Sequence, residues 1–523
     1  MARDLNAGRR YSDKDVVDAV VIGTGAGGGP LLMRLAEAGL SVVALEAGRA
    51  WTPAEDFASD ERAQEKLFWK DERLSAGADP VPFGKNNSGI GVGGSTLHWT
   101  AYAPRAQPDD FRLATEFGVG RDWPIGYDDL APYYGEVERL LGVSGPDPYP
   151  WGPKRDAPYP LAPLPLNGAG ELMQRGAKAL GLKTSPAPNA SLSGTYYQEG
   201  IGYRPACSNR GFCQAGCSTG AKGSVDVTFI PRAVRAGAEI REQSFVTGFE
   251  RDSLGRICAV LYRDSAGAEQ RQRCRHVFLC AGAVESPRLL LLNDLANSSG
   301  QVGRNFMAHP GVQIWGVFDE LIKPTRGMPG GLISEDTHRP KDADFAGGYL
   351  VQSIGVMPLT YVSQLARSQK LWGQALVDHM QAFNHVAGIN ILGECLPHAD
   401  NRLTLSDELD GRGLRKPLIT FSNGENETRM GAHAQRLLGD IWDAAGAREI
   451  RVVQRNAHTI GTCRMGASGD DAVVDADCKS FDVDNLYICD NSVYPSALSV
   501  NPALTQMALS LRTADRFLSN GPK

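Results

Sequence analysis

The chain has 523 residues, 42% of them hydrophobic and 22% charged, with a formal net charge of -6 at pH 7. That length allows two or three domain-sized masses, and the mildly acidic balance gives no electrostatic basis for binding nucleic acid. No run approaches the roughly 18 apolar residues of a spanning helix, because VFLCAGAV and LLLL are short and sit beside charges, so no direct membrane span is expected.

The opening MARDLNAGRRYSDKD has basic residues but neither an apolar h-region nor a small-residue cleavage site. A cytoplasmic location is the default expectation; export in company with a signal-bearing partner, to the periplasm, would leave no mark here. VVDAVVIG then reads as a buried strand, Leu31, Leu32, Leu35 and Ala36 mark a helix, and SVVALEAG is a second strand. Together they form a βαβ unit. From about Asp56 to Gly84 the chain is polar, after which GVGGSTLHWTAYAPR clusters glycines in a way that suits close backbone approach to a ligand. The Pro- and Tyr-rich stretch from DWPIGYDDLAPYY to LAPLPLNGAG reads mainly as connection and turns. Strand patterns return in GAEIREQSFVTGFERD and ICAVLYRD, followed by strand, turn and helix in RHVFLCAGAVESPRLLLLND. Short strands and one helix, MGAHAQRLLGDIWDAAG, fill the region from His309 to Arg451, and the chain closes on a strand, a loop and a helix.

Gly23, Gly25 and Gly28 satisfy GxGxxG between a strand and a helix. The first allows the tight turn, the second lets a pyrophosphate approach the backbone, and the third lets helix and strand pack closely. Glu46, 23 residues after Gly23, ends the second strand where a carboxylate can accept from ribose hydroxyls. This unit binds a dinucleotide but does not separate FAD from NAD. Far along the chain, HTIGTCRMG and SVNPALTQMA place His458 and Asn501 in turns. A dinucleotide cradle with a distant His and Asn pair points to hydride removal from an alcohol. His309 in FMAHPG reads as structural, and His276, His338, His379, His385, His398 and His433 have no motif context or metal-ligand spacing. Of ten cysteines, seven stand apart and read as buried small hydrophobes. Cys207, Cys213 and Cys217 form the group C-x5-C-x3-C.

The segments VVIGTGAGGGPLLMRLAEAG with LEAG, GVGGSTLHWTAYAPR, CAGAVESPRLLLLN, VGRNFMAHPG, NAHTIGTCRMG and DNSVYPSALSVNPALT resemble, in this order and over nearly the whole chain, the glucose-methanol-choline family of FAD-dependent alcohol oxidoreductases. HWT and DWPIGYDDLAPYYGEVERLLGVSG look most like the bacterial branch with gluconate, fructose and glucose dehydrogenases, with pyranose oxidases nearby. The resemblance implies an α/β fold: a Rossmann-like FAD-binding domain made of 1–105, 205–308 and 455–523, with an inserted α+β substrate-binding cap from 106–204 and 309–454. It implies FAD, with Gly93, Gly94 and Ser95 near pyrophosphate or ring, Val246, Ala281 and Gly282 near adenine and phosphate, and Asp490 and Pro502 on the flavin side. His98 aligns with the histidine that carries covalent flavin in some pyranose oxidases; other relatives keep the HW pair with noncovalent FAD. His458 takes the family's catalytic histidine position, where a group of ordinary pKa about 6.5 suits general base catalysis. Asn501 takes the second position, with its amide holding the substrate oxygen.

These implications lead to oxidation of a small-molecule alcohol, on a sugar, glycoside or polyol. Aromatic, terpenoid or sterol alcohols are the alternative substrates, and a noncatalytic flavin electron carrier is the alternative of another class. Three thiolates could hold an iron-sulfur cluster, and with no fourth cysteine in the motif it would be a three-iron (3Fe-4S) one. Electrons would then pass to a cytochrome, with a small accessory subunit as export partner. Structural cysteines, or a disulfide between two of them, are the alternatives, leaving O2 or a quinone as direct acceptor.

Overall fold

The structure, a computed structural model, describes residues 10–81, 88–341 and 343–521. The first nine residues of the N-terminal stretch and positions 82–84 of the polar segment lie outside the described residues. Two large sheets dominate. In the first, Val16–Ile22 lies between Val42–Leu45 and Glu269–Leu279, all parallel, with Glu239–Arg241 beyond Val42–Leu45. Glu269–Leu279 changes partners along its length. Its first half pairs antiparallel with Ile257–Arg263, and its last residues run parallel to Leu486–Ile488. Val17, Ala19, Val20 and Val21 are fully buried, as the apolar run of a doubly covered parallel strand requires. Helix Gly28–Glu37 packs on this sheet beside Phe229–Arg235 and the closing helix Ala503–Ser519. This is the expected α/β nucleotide-binding architecture.

The second sheet is antiparallel, ordered Glu449–Ile460, Met307–Val317, Val386–Gly393, Tyr349–Ile354, Leu332–Ser334 and Ser185–Pro186. Alternation along its strands separates two faces. Val312, Ile314, Ile389, Ile391, Tyr349 and Val351 pack against helices Gly168–Ala179 and Glu425–Ala444. Gln313, Trp315, Asn390, Leu392 and Gln352 turn the other way, into a cavity shared with the first sheet's loops. The two longest strands pair from Met307 opposite Ile460 to Val317 opposite Glu449. The expected domain limits at 308/309 and 454/455 therefore fall inside one hydrogen-bonded ladder, and the strand that starts in the cap runs on to His458.

One segment read as connection and turns is instead a helix, Tyr127–Leu141. Its buried residues Tyr127, Leu130, Tyr134, Val137 and Leu141 follow helical spacing, and it packs on Ala503–Ser519 of the nucleotide region. Pro132 lies on the solvent side, so the carbonyl that its missing N–H leaves unpaired is open to water.

Gly28 shows how little room the first turn leaves, since a Cβ there would lie 1.9 Å from the Gly23 carbonyl oxygen. Gly28→Ala should therefore force helix and strand apart and destabilise the protein by about 1–3 kcal/mol, read as a lowered thermal midpoint against wild type; an unchanged midpoint would refute that packing constraint.

Candidate functional site

A cavity of about 380 Å³ runs between the two sheets. At one end two glycine loops touch. Gly23, at φ +92°, has its amide on the Leu45 carbonyl at 2.9 Å, and a Cβ on it would come within 2.6 Å of the Cys280 carbonyl oxygen. Gly94, at φ +55°, would place a Cβ 2.7 Å from the Gly25 Cα. Glu46 ties these loops together. Its carboxylate accepts from Thr24 N at 3.0 Å, Thr24 Oγ1 at 2.8 Å, Gly48 N at 3.0 Å and Gly91 N at 3.2 Å. Burial raises its pKa against those hydrogen bonds. Gly23, Gly25, Glu46, Gly94, Ser95, Val246, Ala281, Gly282, Asp490 and Pro502 all line the cavity. Gly28 and Gly93 do not: Gly28 serves helix packing, and Gly93 N donates to Thr24 Oγ1 at 3.4 Å. Asp490 accepts from Gly282 N at 2.8 Å, Ser286 Oγ at 2.6 Å and Ser492 N at 2.8 Å, so it braces the start of helix Gly282–Leu292. A glycine cradle with no room for a Cβ at Gly23 or Gly94, with an acid at its rim, fits a dinucleotide.

At the other end, the long ladder is irregular between Met307 and His309, and His458 sits at φ +59°. This bulge re-aims the imidazole. His458 Nδ1 lies 2.9 Å from His309 Nδ1, and His309 Nε2 lies 3.1 Å from the Ala497 carbonyl and 3.0 Å from that of Leu498. Carbonyls only accept, so His309 Nε2 carries its proton. Burial pushes the His309 pKa down to about 4, so the ring is neutral and its Nδ1 is an acceptor. His458 Nδ1–H must donate to it, which leaves His458 Nε2 with a free lone pair. Burial, followed by unfavourable electrostatics with His309, Arg455 and His98, lowers the His458 pKa well below its ordinary value. Asn501 follows the loop whose carbonyls His309 holds, and Glu394 Oε1 grips that loop at Ala497 N, 2.8 Å away. His458 and Asn501 line the same cavity, and Asn501 Oδ1 has no protein partner among the described residues.

His98 lines the cavity too, packed against Phe68 with ring centroids 4.6 Å apart and planes tilted by 54°, and its Nε2 has no partner among the described residues. Burial, then the charge of Lys222, pushes its pKa down to about 3. Lys222 is buried and donates to the carbonyls of Leu97 at 2.8 Å, Trp99 at 3.3 Å and Cys213 at 2.6 Å. It thereby fastens the cysteine loop to the cavity wall at His98. Cys207, Cys213 and Cys217 are free thiols, and they do not converge into a single-ion site. Cys207 Sγ accepts from Asn209 N and Cys217 Sγ from Lys222 N, both at 3.4 Å. Burial raises the Cys217 pKa, but the Thr219 and Lys222 hydrogen bonds and the Lys222 charge outweigh it and the net shift is downward. Burial carries the Cys213 thiol up to about 12.

Sequence reading set His309 aside and gave no role to Lys222, Arg455, Gln313, Gln352 or Asn390, all of which face or brace this cavity. The available signal was a polar residue recurring inside apolar strands, as in GVQIWGV and GINILG.

GMC oxidoreductase family models match residues 82–311 and 397–510. The chain is 32% identical to the fructose dehydrogenase large subunit of Gluconobacter japonicus, over 96% of this chain and 98% of that protein. It is 30% identical to the 2-methyl-1,2-propanediol dehydrogenase of Mycolicibacterium austroafricanum, over 96% and 95% of the two chains. A formate oxidase crystal structure shares the fold at a TM-score of 0.69 and 16% identity, covering 98% of this chain and 99% of that one. With a dinucleotide cradle at one end of the cavity and a neutral imidazole at the other, the chain belongs to the GMC oxidoreductases and is an FAD-dependent enzyme that oxidises an alcohol group.

Proposed function

We propose that the alcohol is a hydroxyl of a sugar or polyol and that His458 Nε2 takes its proton. The observation that carries this is the histidine pair, which holds His458 neutral with its lone pair free. A base in that state receives the hydroxyl proton as hydride leaves the same carbon. Asn501, whose amide oxygen has no partner among the described residues and faces the same cavity, orients the hydroxyl. FAD, when bound, supplies the hydride acceptor. Gly23, Gly25, Glu46, Gly94, Ser95, Val246, Ala281, Gly282 and Asp490 would hold it, with His98 and Pro502 on the same wall. The relatives named for a sugar and a diol support the substrate class.

For the electrons that follow, we propose a three-iron cluster on Cys207, Cys213 and Cys217 and an electron-accepting partner, a cytochrome or small accessory subunit. Two observations support it. Lys222 fixes this loop directly behind the His98 wall, with Gln214 reaching the cavity, and backbone N–H groups already point at two of the sulfurs. The relative named as a large subunit supports the partner.

His458→Ala should keep FAD and slow anaerobic flavin reduction by about two to four orders of magnitude; reduction at the wild-type rate would remove His458 from the chemistry. Because the His458 pKa lies below the ordinary 6.5, its base form persists as pH falls through that value. The rate of flavin reduction should stay on its plateau at pH 6.5 and decline only well below it, so a limb centred at or above 6.5 would contradict the assigned state. Cys213→Ser should abolish bound iron and the associated visible absorption while FAD remains, and an iron-free wild-type protein would end the cluster proposal.

A further inference from the structure

The cavity face of the antiparallel sheet carries three primary amides in a row. Gln313 stands opposite Asn390 on the next strand, and Asn390 opposite Gln352 on the one after. At the spacing of neighbouring strands the row spans about 10 Å, comparable to a six-carbon sugar. All three line the cavity, and they are 3%, 5% and 6% exposed in that order. Gln313 Oε1, Asn390 Oδ1 and Gln352 Oε1 each lack a hydrogen-bond partner among the described residues. Buried polar atoms are paired as a rule. Three unpaired ones facing one space mark a site whose partners come from outside.

Arg455 stands beside this row. It pairs with Gly311 on the strand that carries Gln313, lines the cavity and comes three residues before His458. Buried Arg204 and Arg464 are hydrogen-bonded to main-chain carbonyls, whereas four other arginines with little exposed side chain have carboxylate partners: Arg73 with Glu285, Arg105 with Glu138, Arg241 with Glu239 and Arg288 with Asp410. Arg455 has none among the described residues, and burial alone lowers its pKa. The carboxylates on the cavity wall are engaged elsewhere, Glu285 by Arg73, Glu46 by the glycine loops and Asp490 by Gly282 and Ser286. Arg455 is half-buried on the cavity wall; a partly desolvated guanidinium without an anion is costly, and it matches a carboxylate in bidentate fashion.

We propose that Gln313, Asn390, Gln352 and Arg455 select the substrate, and that this substrate is a polyhydroxylated carboxylic acid, a sugar acid. The proposal rests on the sugar or polyol reading above and narrows it. Hydroxyls lie along the amide row, because an amide both donates and accepts as a hydroxyl does. The carboxylate lies on Arg455, and the hydroxyl to be oxidised lies at His458. A neutral sugar leaves the guanidinium unpaired, and an apolar alcohol leaves both the guanidinium and the amides unpaired; such unpaired buried groups are what discriminate strongly between ligands.

The test uses the FAD-loaded enzyme and two matched pairs that differ in a carboxylate, D-gluconate against D-sorbitol and D-glucuronate against D-glucose. Dissociation constants come from anaerobic flavin bleaching, and a second readout independent of turnover is the rise in thermal midpoint each compound produces. The acid of at least one pair should bind roughly 10 to 100 times more tightly than its neutral partner, the range for a hydrogen-bonded charge. Arg455→Met should bring that ratio to about one, Arg455→Lys should restore part of it, and Gln313→Leu should weaken acid and neutral sugar alike. Equal binding within both pairs, or a ratio that Arg455→Met leaves intact, overturns the sugar-acid proposal while polyol oxidation stands. Bleaching by benzyl alcohol and by none of the four sugars overturns the sugar reading beneath it.

Discussion

Everything at the reactive end of this cavity depends on one buried imidazole. His309 accepts from His458 through Nδ1 and donates to the loop before Asn501 through Nε2. A single neutral ring thus sets the proton position on His458, the proposed base, and the placement of the loop carrying Asn501. Lysine could not do this, since it has donors and no acceptor, and a carboxylate could not donate to the loop unless protonated. Burial matters as much as geometry, because a charged His309 would lose the acceptor that His458 requires.

The dinucleotide end is held by backbone rather than by rings. Two glycine loops, one turning at positive φ at Gly23 and the other at Gly91, Gly93 and Gly94, meet within van der Waals contact, and Glu46 joins them through hydrogen bonds to Thr24, Gly48 and Gly91. The walls between the two ends come from different sheets. Strand alternation supplies one of them, sending apolar residues to the helices Gly168–Ala179 and Glu425–Ala444 and amides to the cavity. The thiol loop is attached through Lys222, whose three carbonyl acceptors leave the charge buried with no carboxylate hydrogen-bonded to it among the described residues.

The nucleotide unit was legible because its chemistry is local. Gly23, Gly25, Gly28 and Glu46 lie within one strand-turn-helix-strand segment, and their spacing reports the turn they must make. Helix Tyr127–Leu141 was not, because its prolines and tyrosines masked a buried stripe at helical spacing that only packing against Ala503–Ser519 reveals. The domain limits near 308 and 454 missed the strand pair that crosses them, since a ladder between residues about 150 apart leaves no local mark. His309 was passed over for the same reason: its partners are 149 and 188 residues away.

The sequence by itself determined the family, the nucleotide cradle and the two residues, His458 and Asn501, that face the cavity from the far end of the chain. Those follow from short motifs whose turns and glycines are dictated by neighbours in sequence. Only the tertiary structure decided which nitrogen of His458 is free, that Arg455 has no carboxylate partner among the described residues, and that Gln313, Asn390 and Gln352 form one row. Each of these is a relation between strands far apart in the chain. Proton position and charge pairing are set by what a side chain touches after folding, and no local pattern encodes that.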